Sequence, residues 1–403
     1  MGKALLATHS GGGSTVPDNS TRFTGLHSVN GNATNAGINN LPIRHAGTVS
    51  QLKTYVSANT TLVTSTITVQ KNGTDQTLKV TYTSGQTGEK QDTLNSFSVT
   101  TTDVIDVDIT VANDVSGATS IIYHSVSVMF ETTDQTYTIS YIGAGTGNST
   151  ISTASKTFYW NGGNISNSST TERTVSFLNS YTLSNFYTYV STNTRTTTCT
   201  LRVRKNTANG NQTVAYTSGQ TGIKEDTLNT DSIISGDNIS FSLVTSTGTG
   251  NFNLSEAITI LKSSAEYLHY YEMNCSSAAL VAVVSTVYSP PIGGPANTAT
   301  EANAQVRIGF DSNITNLRTN VTSNTATTNS TITLRVEGSN SVLQTVYTTG
   351  QTGIKTDTDV VPVLADNLLG YQMSRGTSGT FTITSMAVAG FNDNPFFPKT
   401  IIF

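Results

Sequence analysis

Tyr82-Thr-Ser-Gly-Gln-Thr-Gly88 is the stretch that decides how this chain of 403 residues is organised. It returns at residues 216–222 and again at 347–353, where Thr349 replaces the serine. The three copies begin roughly 130 residues apart, a spacing typical of whole domains, whereas solenoid repeats are roughly 20 to 50 residues long. The stretch therefore indicates that one domain occurs three times in this chain.

The similarity continues on both sides of this stretch without a gap. A lysine and then an aspartate follow each tyrosine at fixed distances, and a valine precedes each tyrosine at a fixed distance. A threonine-rich composition alone would not keep these three columns in register. The columns are Lys90, Lys224 and Lys355; Asp92, Asp226 and Asp357; and Val56, Val190 and Val321.

We divide the chain into three domains with boundaries near residues 133 and 265, because each copy is long enough to own a complete core. The predicted domains are 1–132 with a glycine-rich N-terminal arm, 133–264, and 265–403 with an N-terminal insertion and an apolar C-terminal tail.

Two details of this division concern the starts and the ends of the copies. The tyrosine-rich segment 265–279 has no counterpart in the other copies and is interpreted as an insertion. The turn-forming run Ser289-Pro-Pro-Ile-Gly-Gly-Pro295 is aligned with the glycine runs at 11–13 and 143–147.

Chain ends are normally disordered unless something ties them down. At least one of the two segments, the glycine-rich start at 11–19 and the apolar end at 395–403, is therefore expected to be ordered by a neighbouring subunit.

Alternating apolar residues predict strands within each copy. In Thr66-Ile-Thr-Val-Gln70 the apolar residues fall on one face, which is the period of a half-buried strand. Asn72-Gly73 favours a tight hairpin, and the second copy replaces it with the longer turn 205–210. Several short strands with turns between them indicate the fold class: all-β, three tandem antiparallel β-sandwich or jelly-roll domains.

Composition narrows the classes of function. Charged residues are 11% of the chain and the net charge is −4. The sequence has no basic block, so nucleic acid is not an expected partner. No apolar run is long enough to span a membrane. Cys199 and Cys275 have no counterparts in the other copies, which predicts two thiols rather than a structural disulfide.

No catalytic residues, metal site or cofactor are predicted. Histidine and acidic residues do not recur at a spacing that suits nucleophile and base, metal ligands or paired carboxylates. In the acidic run that begins at Asp103, Asp106 and Asp108 are expected on one strand face that points to solvent.

The recurring loop is the candidate binding site. Its amides and hydroxyls suit sugars, although the same residues also make a good loop, and each lysine and aspartate could either form an ion pair or bind a ligand. The candidates are Gln86, Thr87, Lys90, Asp92, Gln220, Thr221, Lys224, Asp226, Gln351, Thr352, Lys355 and Asp357.

The arrangement resembles jelly-roll modules, of the tumour-necrosis-factor-like type, in virion structural proteins of tailed bacteriophages. The residues that carry the resemblance are Lys71-Asn-Gly73, Asp92-Thr-Leu-Asn-Ser96 and Val126-Ser-Val-Met-Phe130 of the first copy. The resemblance implies a particle component: a head decoration protein, a capsid fibre or a tail appendage. Its partners would be other virion proteins, and it would be assembled in the host cytoplasm and located in the virion.

Two questions stay open from the sequence. A glycan-binding adhesin or receptor-binding protein is the alternative function, and a multidomain hydrolase is a more distant one. Jelly rolls of this type commonly associate around a threefold axis. Three copies could form a pseudo-trimer within one chain, or whole chains could form a homotrimer.

Overall fold

The computed structural model describes residues 3–26, 40–113, 119–133, 139–151, 156–159, 174–245, 248–263, 268–281, 286–292 and 298–393. These residues form six antiparallel sheets, two in each copy. The C-terminal tail at 395–403 is one of the two segments of which at least one was predicted to contact a neighbour, and it lies outside the described residues.

The first copy contains nine strands in two sheets. They are β1 (Lys3–Pro17), β2 (Ser20–Thr24), β3 (Leu41–Pro42), β4 (Gly47–Asn59), β5 (Ser65–Lys71), β6 (Thr74–Tyr82), β7 (Gly88–Val99), β8 (Val104–Val111) and β9 (Ser120–Thr132).

The strand order makes each copy a jelly roll. One sheet has the order β1-β9-β4-β7, and the other has the order β2-β8-β5-β6 with β3 beside β8. Apart from the hairpin β5–β6 and the strands β2 and β3, which both lie along the same edge of β8, consecutive strands lie in opposite sheets. This crossing between two antiparallel sheets is the jelly-roll pattern. We call the sheet that holds β1, β9, β4 and β7 the long-strand sheet and the other the short-strand sheet.

The second copy has the same two sheets, but two short strands stand where the first copy has β7. Its strands are β10 (Ile139–Ile151), β11 (Lys156–Tyr159), β12 (Val175–Ser176), β13 (Tyr181–Asn193), β14 (Cys199–Lys205), β15 (Ala208–Tyr216), β16 (Gly222–Asp226), β17 (Asp231–Ile233), β18 (Asn238–Thr245) and β19 (Phe252–Ser263). The long-strand sheet is β10-β19-β13-β16, and the short-strand sheet is β11-β18-β14-β15.

The third copy repeats the pattern and contains a 3-10 turn at Glu301–Ala304. Its strands are β20 (Leu268–Val281), β21 (Thr286–Ser289), β22 (Val306–Arg307), β23 (Ser312–Asn324), β24 (Ser330–Val336), β25 (Ser339–Tyr347), β26 (Gly353–Val363), β27 (Leu368–Ser374) and β28 (Phe381–Asp393). The long-strand sheet is β20-β28-β23-β26, and the short-strand sheet is β21-β27-β24-β25. The predicted fold class is confirmed.

The predicted insertion in the third copy is wrong. Most of it lies in β20, which pairs with β28 as β1 pairs with β9 and β10 with β19. All three edge strands shift register near their middle, in the third copy between Ser276 and Leu280. The glycine runs at 11–13 and 143–147 reach this irregular part of the strand, so their counterpart is 277–279 rather than 289–295. A register shift accommodates extra residues in one strand of a pair. The three copies therefore share no sequence pattern in this part of the strand.

The predicted N-terminal arm is also part of the fold. Residues 3–17 form β1, whose backbone pairs with β9 of the same copy from Lys3 opposite Glu131 to Pro17 opposite Ser120. The start of the chain is therefore ordered by its own jelly roll. Residues 11–17 therefore need no neighbouring subunit to be ordered. The prediction that at least one end depends on a neighbour stays a prediction for 395–403, which lies outside the described residues.

Each core forms between the two sheets of its copy, from the residues that the period-two pattern selects. The apolar side chains in the middle of β5, β14 and β24 point inward and are fully buried. These side chains are Ile67, Val69, Leu201, Val203, Ile332 and Leu334. Burial of each stabilises its copy by about 1.5–3 kcal/mol relative to leaving it exposed.

The hairpin after these strands is tight in all three copies. Both central residues have positive φ, as the two-residue type I′ turn requires. The predicted longer turn in the second copy is wrong, because β15 begins at Ala208. The turn residues are Asn72 and Gly73 (φ 52° and 72°), Asn206 and Thr207 (48° and 70°), and Glu337 and Gly338 (49° and 72°).

Candidate functional site

The recurring loop after β6 is held by a buried asparagine at the end of β4. The side-chain amide of Asn59 donates to the carbonyl oxygens of Thr83 (2.9 Å) and Gln86 (3.1 Å). Its amide oxygen accepts from the backbone N–H of Thr61 at 3.1 Å. Asn193 and Asn324 make the same contacts in the other copies, with distances of 2.8–3.2 Å. The asparagine thus ties the loop to the end of the strand.

The glutamine of the loop also serves the loop itself. The amide oxygen of Gln86 accepts from the backbone N–H of Thr83 at 3.1 Å and from its hydroxyl at 3.2 Å. Gln220 and Gln351 repeat both bonds at the same distances. The predicted sugar-binding amide oxygens are therefore engaged inside the loop. The next residue in each copy, Thr87, Thr221 or Thr352, is exposed.

The lysine column packs on the tyrosine column. The ammonium of Lys90 lies 5.2 Å from the ring centroid of Tyr82 and donates to the carbonyl oxygen of Thr81. The hydroxyl of Tyr82 bonds to Thr54 at 2.8 Å and donates to the carbonyl oxygen of Gly88 at 3.1 Å. Lys224 on Tyr216 and Lys355 on Tyr347 repeat this, with centroid distances of 5.2 and 5.0 Å. A cation over an aromatic face contributes about 0.5–1 kcal/mol at such a site.

The aspartate column caps backbone groups. Asp92 accepts from the backbone N–H groups of Lys79 (3.1 Å), Leu94 (3.2 Å) and Asn95 (3.1 Å). Burial raises the pKa of Asp92, but a bond from the side-chain amide of Asn95 (2.9 Å) and these backbone bonds outweigh it and hold the pKa below its ordinary value. Asp226 and Asp357 accept from the corresponding strand N–H groups at 2.8 and 2.7 Å.

The recurring residues therefore form a structural unit rather than a binding face. Lys90 and Asp92 lie close in sequence, but the lysine bonds to Thr81 and Tyr82 while the aspartate bonds to N–H groups. We call the unit of asparagine, glutamine, tyrosine, lysine and aspartate the loop clasp. It holds the end of β6 to the start of β7, and its threefold recurrence follows from this role in the fold.

The surfaces between copies were not predicted, and the first lies between copies one and two. Arg44, which follows β3, donates to Glu225 of β16, and its guanidinium lies 6.0 Å from the ring centroid of Tyr187. Ile258 and Ile260 of β19 belong to the same apolar cluster as the core of copy one. The outer face of the second long-strand sheet is thus covered by copy one.

The second surface joins copies one and three. Lys53 of β4 is 4% exposed, forms an ion pair with Asp366 and donates to the carbonyl oxygen of Ile308 at 3.3 Å. Arg307 of β22 forms an ion pair with Glu89 of β7. The first long-strand sheet is thus covered by copy three.

The third surface joins copies two and three. Leu178, which follows β12, forms a buried apolar cluster with Ala387 and Ala389 of β28. In all three surfaces the segment at or just after a copy's short third strand meets the long-strand sheet of another copy. Copy one contacts two in this way, two contacts three, and three contacts one. The contacts are therefore head-to-tail and form a closed cycle.

Asp106 lies in this system of contacts, so the prediction that its face points to solvent is wrong. Its side chain does point away from the core of copy one, but the residue is 1% exposed. Its Oδ2 has no hydrogen-bond partner in the described part of the chain. Burial, and then the carboxylates of Asp108 and Asp75, raise the pKa of Asp106 to about 7.

The carboxyl of Glu256 in copy two is electrostatically coupled to Asp106. Burial, and then Asp106, raise the pKa of Glu256 well above its ordinary value. Glu256 in turn adds to the burial that raises the pKa of Tyr187. Both carboxyl groups are buried, and burial favours their protonated forms. The alternation of β8 identified the outward face, but no local sequence signal showed that another copy covers it.

A cavity of about 220 Å³ lies at the contact between copies one and three. Its polar lining includes Lys53, Glu89, Lys90, Ser125, Ser127 and Arg307. Lys90 is the one member that was a predicted candidate site residue, and it links the loop clasp of copy one to this cavity.

Other classes of site have little support in the described residues. Among them, no group of three or more His, Cys, Asp or Glu residues could hold a metal ion. In that same part of the chain, no helix has the length and apolar character to cross a bilayer. Cys199 and Cys275 are free thiols buried in the cores of copies two and three respectively.

No protein-family model matches this chain, and no curated protein is similar to it. It is similar to a solved chain described under "The Triple Jelly Roll Fold and Turret Assembly in an Archaeal Virus", with 13% identity, a TM-score of 0.20, and coverage of 87% of this chain and 80% of the other. A chain of Sulfolobus Turreted Icosahedral Virus is similar at 15% identity and a TM-score of 0.18, covering 86% of this chain and 80% of the other.

The insecticidal delta-endotoxin Cry8Ea1 of Bacillus thuringiensis is similar at 8% identity and a TM-score of 0.20, with coverage of 87% of this chain and 54% of the other. TM-scores of this size establish neither a shared fold nor a shared function. The jelly-roll assignment therefore rests on the strand order of the chain itself.

Proposed function

We propose that this chain is a structural component of a virus particle, which acts by assembly and surface contact rather than by catalysis. The sequence resemblance to jelly-roll virion proteins of tailed bacteriophages supports this function. The observation that carries it is the closed cycle of head-to-tail contacts among three jelly rolls, because it gives one chain the organisation of an assembly unit. Head decoration, a head fibre and a tail appendage are the placements that such a unit suits, and other virion proteins are its partners.

Immunogold electron microscopy of purified particles, with antibodies raised against the chain, tests this proposal. We expect label at regular positions on intact heads or tails. Label confined to unassembled protein in the lysate would overturn the proposal, whichever placement had been assumed.

We further propose that one chain forms a compact pseudo-trimer and does not need two more chains to cover its long-strand sheets. Lys53, Tyr187 and Ala389 lie on these sheets, and all three are buried by other copies within the same chain. Covalent linkage raises the effective concentration of the copies to about the millimolar range, which favours contact within a chain. Light scattering on the isolated protein should give a mass near 42.6 kDa. A mass near three times that value would contradict the single-chain form.

The absence of catalysis is part of the proposal. Two of the described acidic residues have structural roles. Asp92 caps backbone groups, and Asp106 is buried. We expect the purified chain to release no reducing sugar from host polysaccharide. Release that an Asp or Glu substitution abolishes would contradict this part of the proposal.

Attachment to a host glycan through the recurring loops is the alternative function. The loop clasp gives it little support, because the amide oxygens of Gln86, Gln220 and Gln351 are engaged within their loops. The exposed threonines beside them are the remaining polar groups that such a face could use.

A further inference from the structure

The cavity between copies one and three is large enough for a small ligand. Its volume is about 220 Å³, and since a water molecule occupies about 30 Å³ of liquid, it has room for roughly seven waters. Pockets for drug-sized ligands are larger, about 300–1,000 Å³. The space therefore suits a molecule of about one sugar unit.

The charges that line the cavity favour a single negative charge on this ligand. Lys53, Lys90 and Arg307 bring three cations, and Glu89 brings one carboxylate. Asp366 also pairs with Lys53, which leaves an excess of one positive charge in the neighbourhood. A carboxylate carries one negative charge, whereas a phosphate ester carries about −1.5 to −2 at pH 7. The charge count therefore favours a carboxylate over a phosphate.

Two buried serines supply hydroxyl groups to the same space. Ser125 and Ser127 lie two apart on β9, so they share a face, and they are 8% and 3% exposed. Both residues line the cavity, so their hydroxyls can reach a molecule that occupies it. Buried polar groups normally find partners, because leaving them without one costs free energy. A ligand with several hydroxyls would provide such partners.

We propose that this cavity binds a small hydroxylated carboxylate, a sugar acid. The carboxylate lies among the ammonium groups of Lys53 and Lys90 and the guanidinium of Arg307, and the ligand hydroxyls bond to Ser125 and Ser127. The site goes beyond the proposed structural role, since an assembly unit does not require it.

The other two copies provide a matched control. From the pairing registers, Ser125 corresponds to Glu256 in copy two and to Ser385 in copy three, and Ser127 corresponds to Ile258 and Ala387. The site is therefore formed once per chain. Ser385 occupies the same position on a long-strand sheet as Ser125 but does not line the cavity.

Isothermal titration calorimetry of the full chain with D-glucuronate tests the site, with D-glucose and glucose 6-phosphate as comparisons. We expect one saturable site for glucuronate, and affinities at least tenfold weaker for the neutral sugar and for the phosphate. Ser125→Leu should fill the cavity and abolish binding, while Ser385→Leu should bind as the unmodified chain does. If Ser125→Leu does not fold, Lys90→Gln replaces it, and binding should then be at least tenfold weaker.

Three results would overturn the inference: no saturable binding of glucuronate, equal affinity for glucose, or binding retained by a folded Ser125→Leu chain. None of these binding measurements depends on whether the chain is part of a virus particle. Immunogold label on virions with no glucuronate binding would leave the structural role intact and remove the site. The reverse result would keep the site and remove the structural role.

Discussion

Asn59, Asn193 and Asn324 each connect a strand end to a loop through donors and acceptors on one side chain. Replacing any of them by Ala would leave two loop carbonyls and one backbone N–H without their partner. Loss of such buried bonds costs about 1–3 kcal/mol. We expect each Asn→Ala variant to lose about this much of the free energy of unfolding, measured by urea denaturation.

The exposed threonine of the same loop is the control. Thr87→Ala should change the free energy of unfolding by less than about 0.5 kcal/mol, as surface substitutions usually do. If Asn59→Ala were as mild as Thr87→Ala, the loop clasp would not be a structural unit. The recurrence of its residues would then need a binding role.

The enclosed carboxyl of Asp106 predicts a pH dependence of stability. Its pKa is raised in the folded chain from 3.8 to about 7, so the folded chain binds this proton more tightly than the unfolded chain does. The resulting stabilisation is fully present below about pH 4 and is lost as the pH rises through 7. The change is of the order of 4 kcal/mol, since one pKa unit corresponds to about 1.4 kcal/mol.

Urea denaturation between pH 4 and pH 8 measures this effect. Asp106→Asn should flatten the fall in stability over that range, and so should Glu256→Gln, because the two groups are coupled. Asp92→Asn is the control: its carboxyl has a lowered pKa, so its own titration lies below this window and the slope should not change. An Asp106→Asn chain with the slope of the unmodified protein would contradict the enclosure of this carboxyl.

At the scale of single strands, β20 gives a direct test of the corrected assignment. Met273 of β20 is 1% exposed and belongs to the core cluster of copy three. Met273→Ala should therefore cost about 2–5 kcal/mol of unfolding free energy, as core truncations do. Leu228→Ala, at a side chain that is 91% exposed, should cost less than about 0.5 kcal/mol. A loss that small at Met273 would fit an insertion outside the fold.

The strands that sequence could predict are those whose pattern is local. Ile67 and Val69 alternate with polar residues, and Asn72-Gly73 has the dipeptide that a type I′ turn prefers, so both were identified correctly. The first strand of each copy could not be recognised. It is an edge strand with a register shift, and such a strand tolerates glycines in copies one and two and alanines in copy three.

The loop was predicted better in its location than in its role. The spacing of Gln86, Lys90 and Asp92 identified a unit that recurs, but recurrence alone does not distinguish a binding loop from a structural one. Only the partners of these side chains, which are backbone groups and Tyr82, separate the two. The contacts between copies have no local sequence pattern, because they join residues far apart in the chain.

For the whole molecule, the ion pair between Arg44 and Glu225 reports on the contact of copies one and two. Both side chains are partly buried, at 18% and 23% exposure. We expect Arg44→Glu and Glu225→Arg each to destabilise the chain, and the double variant to recover part of the loss. The coupling should be about 0.5–3 kcal/mol, the range for residues in contact.

Urea denaturation of the four proteins of this cycle measures the coupling. The same exchange at Arg335 and Glu301, an ion pair within copy three, shows what coupling a pair inside one jelly roll gives. Additive effects at Arg44 and Glu225 would mean that this ion pair does not contribute to the contact of copies one and two in solution.

The three contacts between copies differ in chemistry: an arginine on a tyrosine beside two carboxyls, a buried lysine with an aspartate, and a leucine on two alanines. A homotrimer presents the same surface three times, so a binding partner cannot distinguish one subunit from another. A cycle of unlike copies has an orientation. A partner that recognises a single copy therefore sets the rotation of the whole unit about its axis.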